Sequence, residues 1–174
     1  MRYDESGMIN STLFLEKILQ RLRFRKVKPY LDGDILDFGG NEGELKEFVK
    51  GKYYLVNYDH SLLDNNKLFV DSIVILAVIE HMEVRDVVTT FLKFKKILKS
   101  DGWIFLTTPT KLSKPVLEFM AFIGLLDEKN IEEHKHYWNK KELFQLAINT
   151  GFEVKRFRRF QLGFNQFVVF FHKS

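Results

Sequence analysis

Short apolar runs at 34–38, 53–58, 72–77 and 103–108 alternate with stretches whose apolar positions recur at helical spacing, at 44–50 and 84–98. Runs of this length bounded by turn residues read as strands, and strands alternating with helices predict a mostly parallel, doubly wound sheet of the α/β class. Upstream, residues 12–24 carry Leu15, Ile18, Leu19 and Leu22 at helical spacing, with Ser11 as the cap. Downstream, 140–150 reads as a helix stopped by Gly151, and the strand-like stretches 153–160 and 166–172 are expected to pair antiparallel at the sheet edge. Between these, after Pro115, residues 116–126 are apolar nearly all round. Such a helix belongs to a core or a lid, to an apolar substrate wall, or to a homodimer face; it is too short to span a membrane.

The most specific local pattern follows the first run. Ile35-Leu36-Asp37-Phe38-Gly39-Gly40-Asn41-Glu42-Gly43 begins apolar, then places an acid and three glycines within seven residues before a helical pattern. Glycines let a backbone turn sharply and lie against a ligand with no Cβ in the way. In α/β proteins this strand, turn and helix present a cofactor site at the carboxyl end of a strand. The spacing is neither the G-x-G-x-x-G of a dinucleotide site nor, without a following Lys-Ser/Thr, a P-loop.

With Asp37, Gly39 and Gly43 in register, the loop resembles motif I of the class I S-adenosylmethionine-dependent methyltransferases, D-x-G-x-G-x-G. Asn41 stands where the middle glycine belongs, and Asn tolerates positive φ. Three further segments follow in the family's order. Tyr53-Tyr54-Leu55-Val56-Asn57-Tyr58-Asp59 ends in an acid where the family has its ribose-binding carboxylate. The stretch from Phe69-Val70-Asp71 to Ile79-Glu80-His81 resembles its FDxIxxxxVLEH strand, and Leu98-Lys99-Ser100-Asp101-Gly102-Trp103 onward to Pro109 its LKPGGxLxxxTPN turn and strand. Glu133-His134-Lys135-His136-Tyr137-Trp138 and Thr150-Gly151-Phe152 fit the tail of small-molecule members. The resemblance implies a three-layer Rossmann-like fold with an antiparallel C-terminal edge strand. It also implies one domain over 1–174, with 1–30 as a helical segment and lid (its part 3–8 included) and 111–139 as an insertion lining the substrate side. The chain departs from the family between Asp59 and Asp71, where 11 residues replace a helix, a third strand and an adenine-contacting acid. Asp64 is the one acid left to stand near an adenine.

The implied cofactor contacts are Asp37, Phe38, Gly39, Gly40, Asn41, Gly43, Asp59, His60 and Ala77. Each has a plainer alternative: Asp37 as a loop-capping acid, Asp59 as a solvated turn residue with Asn57 as its competitor two positions earlier, and Ala77 as an ordinary small strand residue. On the substrate side the candidates are His81, His134, His136 and Tyr137, with His81 and His136 as candidate catalytic bases because an imidazole titrates near neutral pH. Glu80 and His81 equally suit the cap of the next helix. His134 and His136, beside Glu132 and Glu133, lie two residues apart and so do not share a helical face. A metal there requires a loop or strand; a substrate lining or a structural hydrogen bond is preferred, and no metal is expected.

At 174 residues, with 45% hydrophobic content and 18 Phe, the chain has material for one well-filled core. Cysteine is absent, which excludes disulfides, thiolate ligands and a cysteine nucleophile. The polar N-terminus carries no apolar signal core, so a cytoplasmic protein is the expectation. Net charge is +4, with basic residues grouped at 21–28, 93–99 and 156–159. Solvated helix faces account for such groups, and RNA is the alternative partner. The expected function is methyl transfer from S-adenosylmethionine to an O, N or C atom of a small molecule, with S-adenosylhomocysteine as product. The rivals are a non-catalytic binding or regulatory relative and an RNA methyltransferase.

Overall fold

The computed structural model describes residues 17–65, 67–123 and 133–173. Ser11, Leu15, segment 3–8, residues 124–126 and Glu132 lie outside them. Helix α1 covers 17–27 and runs into a 3-10 turn at Lys28–Tyr30. Strands β1 (Ile35–Phe38), β2 (Tyr53–Val56), β3 (Val70–Leu76) and β4 (Leu98–Pro109) are mutually parallel. Helix α2 (Val84–Ile97) joins β3 to β4, and helices α3 (Lys114–Phe122) and α4 (Lys140–Thr150) lie between β4 and the last two strands, β5 (Glu153–Phe160) and β6 (Asn165–Phe171). The six-stranded sheet has the order β2-β1-β3-β4-β6-β5. Strand β6 is antiparallel to both neighbours and lies one place in from the edge, which β5 forms.

Two buried layers follow from the two-residue period of the strands. Leu36 and Phe38, Ile73 and Ile75, Ile104 and Leu106, and Val168 and Phe170 face α2 and α4. Ile35, Val74, Phe105, Phe167 and Val169 face Val27 of α1, Leu31 just after the 3-10 turn and Leu45 beyond the glycine loop. Both faces are covered, as a doubly wound sheet requires. Asp37 therefore shares the α1 face with Ile35. Helix α4 starts on a capping box, with Asn139 Oδ1 accepting from the Glu142 N–H at 3.0 Å and Glu142 Oε2 accepting from the Asn139 N–H at 2.7 Å, and ends on left-handed Gly151.

Two expectations change, and the departure expected between Asp59 and Asp71 is found. The pattern at 44–50 forms a 3-10 helix, Glu44–Phe48, rather than an α-helix. The return from the end of β1 to the start of β2 must span a four-residue strand, roughly 13 Å. Five residues rising about 2.0 Å each cover more of that than an α-helix at about 1.5 Å would. No third strand lies outside β2 among the described residues; a 3-10 turn, Ser61–Asp64, leads back instead, and β2 is an edge. Finally, the described part of 116–126 is not core: Leu112, Phe119, Phe122 and Ile123, on and beside α3, are exposed. No helix among the described residues is long and apolar enough to cross a membrane.

Candidate functional site

Beyond the carboxyl end of β1 the chain enters left-handed conformation three times, at Gly39 (φ 77°), Asn41 (φ 50°) and Gly43 (φ 77°). Asn41 takes the positive φ that its type allows. The loop is anchored by Gly39 N–H donating to Val56 O at 2.7 Å and by Asn57 Nδ2 donating to Asn41 O at 2.8 Å. Gly40 has an ordinary φ but no room: a Cβ there would lie 2.2 Å from Asp37 Oδ2.

Asp37 is buried and accepts a 2.6 Å hydrogen bond from the Tyr53 hydroxyl. Burial pushes its carboxyl up to about 6, against the lowering effect of the Tyr53 bond and with a further push from Glu44. Tyr53 is itself pushed up by burial and by this acid. The folded pKa lies above the unfolded one, so the protonated form is favoured by folding; this stability is full below about pH 4 and is lost as pH rises through about 6. At about 1.4 kcal/mol per unit, wild type should lose about 2–3 kcal/mol relative to Asp37→Asn between pH 4 and 7.5, read by urea denaturation at each pH. A pH-independent difference between the two proteins would sink this.

The ends of the neighbouring strands frame the loop. Asn57 directly follows β2, and its Oδ1 is buried with no hydrogen-bond partner among the described residues. Asp59 is exposed and accepts from the Ser61 N–H at 2.9 Å, a bond that holds its carboxyl below the usual range. His60 packs its ring 5.0 Å from that of Phe38, whose side chain is core rather than site. Asp64 is turned away, paired with Lys93 of α2 at 2.8 Å. Ala77, just past β3, has φ 58° and donates its N–H to Thr107 O at 2.9 Å.

A second cluster stands on the next turn. Glu80 is buried, accepts from the Thr108 hydroxyl at 3.0 Å, and is pushed up to about 7 by burial. Its backbone carbonyl accepts the N–H groups of Lys135 (2.8 Å) and His136 (3.1 Å), and the Trp138 indole donates to Ile79 O at 3.2 Å. These bonds bring the non-helical segment 133–139 against 79–81. The His81 and His134 rings meet edge to face at 4.7 Å, and His134 Nδ1 lies 2.9 Å from the Tyr137 hydroxyl. Burial lowers both imidazoles, His134 to about 4, so both are neutral at physiological pH. His136 points elsewhere, its Nε2 3.3 Å from Glu142 of the α4 capping box.

A match to sequence families decides the assignment: a family described as a methyltransferase domain matches residues 10–156. The chain belongs to this family. The methyltransferase domain also resembles solved structures in fold. The pyocyanin biosynthetic protein PhzM has a TM-score of 0.64 at 16% identity, over 88% of this chain and 55% of that one. A SAM-dependent methyltransferase from Archaeoglobus fulgidus has 0.57 at 15%, over 90% and 93%. CalO1, a methyltransferase in calicheamicin biosynthesis with SAH bound, has 0.58 at 13%, over 80% and 49%. The domain thus spans about half the length of PhzM and CalO1. No curated protein sequence matches it.

Four participants carry no legible sequence signal. Tyr53 starts β2 opposite Ile35, so only the strand register puts its hydroxyl on the face of Asp37. Gln20, Arg23 and Phe24 of α1 wall a cavity of about 50 Å³ together with Asp37, Gly39, Gly40, Asn41 and Leu76. A larger cavity, about 700 Å³, opens at the opposite, amino-terminal end of the strands beside Asp71, Lys99, Trp103 and Arg156. It is remote from the glycine loop, and the carboxyl-end site is the one that α/β chemistry uses.

Proposed function

We propose that this domain transfers a methyl group from S-adenosylmethionine to an oxygen, nitrogen or carbon of a small molecule, leaving S-adenosylhomocysteine. The observation that carries the reading is the loop after β1, with three left-handed residues wrapped over a buried acid at a strand's carboxyl end. Family membership supports it, as do relatives whose names speak of pyocyanin and calicheamicin biosynthesis. The cofactor, when bound, supplies an electrophilic methyl on a positively charged sulfur.

The residues present suit that group in chemistry. Asp37 and the loop from Gly39 to Gly43 offer a carboxylate and open backbone. Asn57 offers an orphaned buried acceptor, Asp59 an ionised acid for ribose hydroxyls, and His60 an aromatic edge for the adenine side. Ala77 leaves space at the end of β3. In volume the cavity is far below the several hundred Å³ a ligand of this size fills. Entry therefore requires α1, with Arg23 and Phe24, to shift, which is the lid role expected of 1–30.

On the acceptor side, His81, His134 and Tyr137 face one another around Glu80, and Glu118 of α3 is near enough to act on the Tyr137 phenol. Methyl transfer asks for alignment and exclusion of water more than for proton chemistry. His81 is the acceptor-facing imidazole in this reading, and His136 a positioning residue that braces the start of α4. The exposed apolar side chains around α3 form a wall for the acceptor, or the contact of a homodimer. A single domain in the cytoplasm completes the reading, supported by the absence of cysteine.

Calorimetric titration with S-adenosylhomocysteine tests it. Micromolar binding is expected, weakened about tenfold or more in Asp59→Ala, since a hydrogen bond to a charged group contributes about 1.5–3 kcal/mol. No binding to the folded wild type would overturn the reading and leave the non-catalytic relative, which the absent third strand and the narrow cavity favour. RNA as acceptor draws on one observation: Lys26 stacks over Phe160 and Arg156 donates to the Tyr30 hydroxyl at 2.6 Å, joining two of the basic groups. RNA affinity falling steeply with salt would carry that alternative.

A further inference from the structure

We propose that Glu80, His81 and His134 form a binding site for one divalent transition-metal ion, of the zinc or manganese kind, at the acceptor side of the methyl-transfer site. One ligand atom from each lies within 4.8 Å of the others. Ligands about 2.0–2.2 Å from a common ion stand about 3.3–3.6 Å apart in tetrahedral geometry, so the three must close by about 1 Å, a side-chain adjustment. Two imidazoles and a carboxylate suit borderline divalent ions and leave further coordination positions open.

What separates this cluster from a chance gathering is that two of the three ligands, His134 and Glu80, are already oriented by a second group. Tyr137 engages His134 Nδ1, leaving Nε2 to ligate. Thr108 holds Glu80 Oε2, leaving Oε1. His81 packs its ring edge to face against that of His134 at 4.7 Å. The segment meets the condition that spacing imposes on a metal site, since 134–139 is neither helix nor turn. The partner of His134 is His81, 53 residues away, and not His136. The Arg23 guanidinium acts on both Glu80 and His81 through its charge.

The ion would take an acceptor hydroxyl as a further ligand, the O–H proton passing to water and the oxygen staying in place facing the methyl. This favours an oxygen acceptor. That catalytic role rests on the methyl-transfer reading; the binding itself does not.

The test uses the chelator-treated full chain, titrated with Zn²⁺ by calorimetry and with Co²⁺ by visible absorption. One ion per chain is expected, with affinity reduced about tenfold or more in His81→Ala and in His134→Ala. His172→Ala, at the far end of the sheet where His172 Nδ1 lies 3.2 Å from Lys99 O, should bind like wild type. Circular dichroism establishes that each variant is folded. No saturable binding by folded wild type, or unchanged affinity in folded His134→Ala, overturns the proposal. S-adenosylhomocysteine titrated into the same metal-free proteins keeps the two readings apart: cofactor binding without metal binding sinks only the metal site, and the reverse sinks only methyl transfer.

Discussion

Replacing Gly40 with alanine is expected to abolish tight cofactor binding while leaving a folded protein. The added methyl would fall 2.2 Å from Asp37 Oδ2 and 2.4 Å from its Cγ, distances at which one of the two must move. Gly40 is not left-handed, so backbone strain is no part of the effect; the whole cost is steric, against an acid held by Tyr53. Overpacking of this kind costs about 1–3 kcal/mol of stability. The larger effect is on binding, because the displaced carboxylate no longer addresses the loop. Loss of one hydrogen bond to a charged group predicts about a ten- to hundredfold rise in the S-adenosylhomocysteine dissociation constant. Urea denaturation and calorimetry on the same variant separate the two. Wild-type affinity in Gly40→Ala would mean that Asp37 is not part of the cofactor site.

The second large effect is expected at Trp138. Its side chain is buried in the core under α2 and α4, its indole N–H donates to Ile79 O, and its carbonyl accepts from Gln166 Nε2 at 2.6 Å. Truncation of a buried tryptophan costs about 3–5 kcal/mol, so Trp138→Ala should be severely destabilised in urea. Trp138→Phe keeps most of the apolar contact and loses the indole bond, a net loss of about 1 kcal/mol. The two variants should also differ locally. In Trp138→Ala the Lys135 and His136 amides, which donate to Glu80 O, should lose hydrogen-exchange protection more than the β3–β4 amides. Uniform loss across the sheet would mean that Trp138 serves the core alone and does not clamp 133–139 to 79–81.

Much of the domain was legible along the chain. Short apolar runs bounded by turn residues favour strands, and the helices between them fix a doubly wound order. Asn139, Glu142 and Gly151 announce the ends of α4 by local hydrogen bonding alone, and 140–150 and 153–160 form at the bounds their residues predict. The glycine loop is legible for the same reason: positive φ is a local demand that few residue types meet. Where the pattern at 44–50 misled, periodicity was competing with a distance, since a crossover must match the strand it returns along.

Apolar pattern and local backbone demand therefore determine from sequence the α/β class, the loop after β1 and the ends of α4. Only the tertiary structure decides what meets across the chain. Tyr53 reaches Asp37 through strand register, α1 brings Arg23 and Phe24 over the loop, and His134 comes to His81 rather than staying with His136. The physical reason is range. A φ angle or a helix cap is set by neighbours within a few residues. A contact between residues tens of positions apart is set by how the layers pack, and no single residue carries that information.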